Sequence, residues 1–169
     1  RAHNMTIYGA SSAEWDAFRT LKETDILPFL ADPNTPMSKT SSISIKTKAP
    51  GVVRQGEGGG FLNWATRITS ATDIANWRVD PRHGICLVTR DIRAIDIDID
   101  DPILAATVSE TIRDSLGLGG SLMPARTRSN SGKHTLLYRI SDMPDPLTKY
   151  VVDIAGDTNI VEFLFNKQQ

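Results

Sequence analysis

The chain has a single cysteine, Cys86, among 169 residues. A disulfide framework within the chain and a zinc site built on several thiolates are therefore excluded. The apolar setting of that thiol (ICLV) marks it as core and suits a reducing cytoplasm. There is no basic excess either: Lys and Arg number 19, Asp and Glu 20, for a formal net charge of −1. Any contact with nucleic acid must then come from a local patch rather than from the field of the whole protein. Long hydrophobic runs are also missing. No stretch approaches the roughly 18 apolar residues that cross a bilayer, so no membrane is expected as a partner, and nothing has the pattern of a signal peptide. What remains is a hydrophobic content of 40 %, enough for an ordinary core at this length. Residues 1–4 (RAHN) read as a remnant ahead of Met5. The chain stops at FLFNKQQ inside strand-like sequence, so residues 5–169 are expected to be one domain taken from a larger protein.

Local patterns give the elements. Ser11-Ser12-Ala13-Glu14 offers a capping box, and Trp15, Phe18 and Leu21 follow at helical spacing, so a helix is expected over residues 12–23. Residues 28–60 are rich in Pro, Ser, Gly and charge and read as loop, with SISIK as one short strand. A helix is expected over 69–79 and strands over 84–89 and 94–100. Asp101-Pro102 then caps a helix whose Leu104, Val108, Ile112 and Leu116 fall on one stripe and which Gly117 ends. Residues 117–133 read as a loop, 134–140 as a strand, and 149–154 and 159–165 as two strands joined through AGDT. The expected class is α+β, with helices on one face of a largely antiparallel sheet.

The segment RAIDIDIDDP alternates acid and isoleucine. On a strand this puts Asp96, Asp98 and Asp100 on one face and Ile95, Ile97 and Ile99 on the other. The isoleucines can pack on the following helix. Two carboxylates at i, i+2 suit a hard divalent cation, although a solvated edge strand would give the same alternation. Downstream, PARTRSNSGKH gathers Arg126, Arg128, Lys133 and His134 around Ser131 and Gly132, a composition suited to phosphate. His134 could equally be a polar strand end. Glu162 is the one acid in IVEFLF, either an edge residue facing water or a third carboxylate. The glycine-rich RQGEGGG is followed by Phe61, Asn63 and Trp64 and reads as a flexible loop or as a clamp on phosphate or template.

Taken in order, GGGFLNWATRITSATDIANW, RAIDIDIDDP, SGKHTLLYRI and IVEFLF resemble the primase–polymerase domain of the archaeo-eukaryotic primase superfamily, of the bifunctional type found in phages, prophages and plasmids. The resemblance covers residues 45–165. It implies an RRM-like, largely antiparallel sheet with a small N-terminal α/β part. It implies Asp96, Asp98 and Glu162 as ligands of a two-metal Mg2+ or Mn2+ site, with Asp100 as a further candidate. It places Ser131 and His134 in the nucleotide-binding motif, His134 on the phosphates of the incoming nucleotide. Arg126, Arg128 and Lys133 are candidate contacts to the triphosphate by their chemistry, and Arg54, Trp64 and Arg67 to template. The activity implied is template-dependent nucleotidyl transfer, in which primers are made and extended from NTP or dNTP on single-stranded DNA, with a fused or associated helicase as partner. Two other functions fit parts of the same pattern. One is a metal-dependent nuclease or phosphoesterase. The other is a non-catalytic RRM-like nucleic-acid module, which calls for aromatic residues rather than acids on the open sheet face.

Overall fold

A computed structural model of the chain describes residues 8–44, 46, 49–118, 123–127, 131–139, 149–154, 159–165 and 168. The class is α+β, and the chain divides into two compact units, residues 1–88 and Thr89–Gln168.

The N-terminal unit begins with α1 (Ser12–Lys22), which carries the expected capping box. The Ser11 N–H donates to Glu14 Oε2 at 2.7 Å and the Glu14 N–H to Ser11 Oγ at 3.3 Å. Its apolar stripe buries Trp15 completely. The segment expected to be loop then forms strands. β1 (Ile26–Leu30) and β2 (Gly51–Arg54) are followed by β3 (Glu57–Gly60), which closes a hairpin with β2. Pro28 is tolerated inside β1 because, among the described residues, β1 pairs as a strand with β4 (His83–Leu87) alone, and its other edge carries an isolated bridge from Phe29 to Pro50 rather than a ladder. The hairpin turns at Gln55 and Gly56, with φ of 50° and 86°. Positive φ at both positions is what a tight turn needs to follow the strand twist. Gly58 is required for a different reason: a Cβ there would lie 2.5 Å from Leu30 Cδ1. Residues 42–44 of the expected SISIK strand do not form one, and Ile45 lies outside the described residues.

Between β3 and β4 lies α2 (Ala71–Trp77), shorter than expected and capped by Ser70 and Asp73. Ile74 and Trp77 from α2 join Trp15, Ile26, Leu27 and Phe61 in the core of this unit. Cys86 packs against that core, donates its S–H to the Leu27 carbonyl, and is pushed by burial up to about 12, which keeps it a thiol.

Among the described residues, the C-terminal unit is one antiparallel sheet and one helix. The strands are β5 (Ile92–Asp98), β6 (Ala125–Thr127), β7 (His134–Arg139), β8 (Lys149–Asp153) and β9 (Ile160–Leu164), in spatial order β6-β7-β5-β9-β8. β6 falls in the stretch expected to be loop, and the AGDT connection between β8 and β9 lies outside the described residues. The helix α3 (Pro102–Ser115) starts where Asp101 and Pro102 predict. Asp101 Oδ1 accepts from the Ile103 and Leu104 N–H groups, and Gly117 ends the helix at φ 69°. Ile95, Ile97 and Ile99 are fully buried, with Leu104, Val108 and Ile112 of α3 packed against their cluster. Burying each such side chain is worth about 1.5–3 kcal/mol, so this face anchors β5 at the centre of the sheet.

Candidate functional site: a carboxylate face on the central strand

With the isoleucines of β5 turned toward α3, Asp96 and Asp98 must occupy the other face. The register extends that face across the sheet. Asp96 is opposite Thr135 on β7 and opposite Glu162 on β9; Thr135 is opposite Arg126 on β6, and Glu162 is opposite Val151 on β8. Directly opposite residues place their Cβ atoms about 4.5–5.5 Å apart on the same face. Asp96 and Asp98 thus share one surface with Glu162, which is distant from them in sequence.

Like charges directly opposite each other destabilise a sheet unless they are compensated. Each of these acids has a partner. Thr135 Oγ1 donates to Asp96 Oδ1 at 2.7 Å. Lys133 Nζ lies 2.9 Å from Asp98 Oδ1 and 3.4 Å from Asp100 Oδ2. Lys149 Nζ lies 2.5 Å from Glu162 Oε1. The hydrogen bond to Asp98, with the charges of Asp98 and Asp100, raises the Lys133 ammonium above the ordinary lysine range, so it stays charged. Ser131 fixes the approach of this loop: its Oγ donates to Asp100 Oδ1 at 3.1 Å and accepts from the Lys133 N–H at 3.2 Å. Gly132 is seated on the turn after β5. Its N–H donates to the Asp100 carbonyl at 3.2 Å, and a Cβ would come within 2.9 Å of both the Ile99 carbonyl oxygen and Pro102 Cα.

A recess lined by Asp96, Asp98, Arg126, Lys133, His134 and Thr135 has a volume of about 20 Å³. That is room for a water or a bare ion. Three hard oxygen donors on one face match the chemistry of Mg2+ or Mn2+. Their oxygens, however, face Thr135, Lys133 and Lys149. Among the described residues no group of three or more His, Cys, Asp or Glu side chains converges as a metal cage.

His134 is placed differently from the expectation. It is opposite Ile97, so its side chain belongs to the helix-facing side of β7. Its Nε2 is hydrogen-bonded to Ser109 Oγ of α3, and its Nδ1 lies 2.7 Å from the Gly132 carbonyl. The ring ties β7 to α3, while the residue still borders the recess beside Asp96 and Asp98. Of the other basic candidates, Arg126 is exposed on the acid face and Arg128 lies outside the described residues. Arg54, Trp64 and Arg67 belong to the N-terminal unit. Arg54 and Arg67 lie over the Phe61 ring at 5.8 and 5.2 Å, and Arg67 also pairs with Asp73 at 2.8 Å. Trp64 packs, partly buried, against the core there.

Thr135 and Lys149 are the site residues that sequence reading missed. Thr135 adjoins His134, and one residue decides which face each takes. Lys149 opens a strand whose acidic neighbour becomes visible only once β8 is paired with β9. No family model, curated protein or solved structure matches the chain. No helix among the described residues is long and apolar enough to cross a membrane.

Proposed function

We propose that the carboxylate face is a nucleotidyl-transfer site, and that the protein is a primase–polymerase acting on single-stranded DNA. The reading rests on the Asp96–Glu162 cross-strand pair with Asp98 beside it, because carboxylates gathered on one face at a sheet centre are the oxygen donors a hard divalent cation takes. In this role Asp96, Asp98 and Glu162 hold Mg2+ or Mn2+. A divalent ion supplies activation of the attacking 3′-hydroxyl and charge stabilisation at the transferring phosphate. Lys133 and Arg126, beside the same recess, take the triphosphate oxygens. Ser131 and Gly132 hold the loop that presents Lys133. His134 has a positioning role: through Ser109 it fixes β7, and hence Thr135, against α3.

A non-catalytic RRM-like module is disfavoured by where the rings lie. Phe163 is opposite Ile95 and Tyr150 is opposite Phe163, and Phe165 stacks on Phe163 at 6.4 Å. These aromatics are on the isoleucine side of the sheet, and the open side carries acids.

The test is primer synthesis and primer extension on single-stranded DNA with Mg2+ or Mn2+. Template-dependent product is expected, with a loss of at least about a hundredfold for Asp96→Asn and for Asp98→Asn. Template degradation without synthesis would reassign the face to phosphoester hydrolysis. Undiminished synthesis by both variants would remove the carboxylates from the chemistry.

A further inference from the structure

On the reading of this face as an ion and triphosphate site, we propose that Lys133 and Lys149 are its exchangeable counter-cations. They cover the carboxylates when no divalent ion is bound, and move to the phosphate oxygens of a nucleoside triphosphate when one enters.

The arrangement around Asp96 carries this. Its own partner is the neutral hydroxyl of Thr135, whereas the acids on either side of it, Asp98 and Glu162, are each paired with an ammonium group. An ion that binds at Asp96 and draws ligands from both neighbours competes with both lysines for those carboxylates. The exchange conserves charge, since two ammonium groups leave their acids as one doubly charged ion arrives. It is also easily made. The side chains are 28 % exposed for Lys133 and 38 % for Lys149, and ion pairs so placed are weak. Lysine suits the movement because its ammonium is a compact charge on a flexible stem with three rotatable donors, whereas an arginine would be held in a planar fork. The displaced Lys133 stays beside Arg126, so cations free to meet phosphate are released where the recess opens. Ion and triphosphate should then favour each other's binding, and by linkage the effect must be the same in both directions.

The experiment titrates the full chain with Mn2+, reading free ion by electron paramagnetic resonance, with and without a non-hydrolysable deoxynucleoside triphosphate analogue. Lys149→Met and Lys133→Met should each tighten Mn2+ binding about two- to fivefold, the scale of a partly exposed ion pair. After subtraction of the Mn2+ held by the analogue alone in a protein-free control, the analogue should tighten Mn2+ binding at least about fivefold in the wild type, and this coupling should be smaller in the double variant, where direct ion–phosphate contact alone remains. Arg139→Met, which removes a charge from the end of β7 where Arg139 pairs with Asp91, should change nothing. Unchanged Mn2+ affinity in both lysine variants overturns the exchange, as does equal tightening in Arg139→Met. Either result leaves the ion site standing if Asp96→Asn still abolishes binding. Mn2+ affinity that is undetectable in the wild type, or insensitive to Asp96→Asn and Asp98→Asn, overturns the ion site itself.

Discussion

Two regions of the molecule hold their polar groups in contrasting ways. At the centre of the N-terminal unit, His83 is 2 % exposed and bonded at both ring nitrogens. Nε2 accepts the Val53 N–H at 3.0 Å and Nδ1 meets the Trp77 carbonyl at 2.9 Å. Both partners are backbone groups, so the ring is fixed by the fold. On the open face of β5, the acids Asp98 and Glu162 meet the tips of lysine side chains, and Asp98 is 50 % exposed. The first arrangement is fixed by the backbone and has no ring nitrogen left for a ligand. The second has partners that can be exchanged for one. A titratable residue in an apolar setting is thus no guide to a site by itself; what its bonds are made to, and whether they can open, tells more.

The contrast within β5 itself predicts the largest effect. Ile95→Asp moves a charge onto the buried face, opposite the apolar Leu136 and Phe163, and is expected to cost about 4 kcal/mol or more. Asp98→Ile makes the reverse change on the open face and should cost about 1 kcal/mol or less while removing activity. Urea denaturation followed by far-ultraviolet circular dichroism measures both. Equal costs would mean that the two faces of β5 are not distinguished as described.

His83→Ala comes next. It leaves the Val53 N–H and the Trp77 carbonyl without their partner and opens a cavity, at an expected cost of about 2–4 kcal/mol. All three tryptophans, Trp15, Trp64 and Trp77, belong to the N-terminal unit, so tryptophan emission reports its unfolding. The loss should be stability without change in Mn2+ affinity. A variant that unfolds normally but binds Mn2+ more weakly would give His83 a part in the site.

Gly132→Ala should cost less, about 1–3 kcal/mol, because its methyl group must push against the Ile99 carbonyl and Pro102. Its sharper effect is local. The shift carries Lys133 away from Asp98 and Asp100, so Mn2+ affinity should rise as it does in Lys133→Met. Unchanged stability together with unchanged ion affinity would detach this loop from the acid face.

The parts of this fold that were legible from sequence are those fixed by neighbours along the chain. The capping box of α1, the Asp101-Pro102 start of α3, its Gly117 stop and the two faces of β5 all follow from residues within a turn of one another. The missed elements depend on partners. Pro28 argues against a strand until β4 is known to be its neighbour. The glycines of β3 read as loop until the close approach of Leu30 at Gly58 is seen. At the site, the shared face of Asp96, Asp98 and Glu162 was inferred from a resemblance between motifs, and the register of β5 with β9 puts the three on one surface. The resemblance puts His134 on the phosphates of the incoming nucleotide; a strand's facing is set by pairing register, and a one-residue difference sends a side chain to the opposite side. Opposite Ile97, His134 faces α3, and its neighbour Thr135 reaches Asp96 instead.

The smallest effect concerns acid. In the N-terminal unit, the Ser11 backbone N–H and hydroxyl hold the Glu14 carboxyl below its usual value, and the Arg82 guanidinium does the same for Asp80. A carboxyl group lowered in the folded state contributes stability that is fully present above its unfolded value. That contribution is lost as the pH falls through the folded value. The N-terminal unit should therefore weaken below the ordinary Glu and Asp values of 4.5 and 3.8. Ser11→Ala removes the cap and the hydroxyl bond to Glu14 and should cost about 1 kcal/mol at pH 6. As Glu14 becomes protonated in both proteins, the share of that cost which depends on its charge disappears, so the difference between wild type and variant should narrow toward pH 3. Tryptophan emission in urea at the two pH values measures it. A gap that stays constant would mean that the cap acts through the Ser11 hydroxyl on the helix alone, and that the locked polar groups of this unit do not make it sensitive to acid.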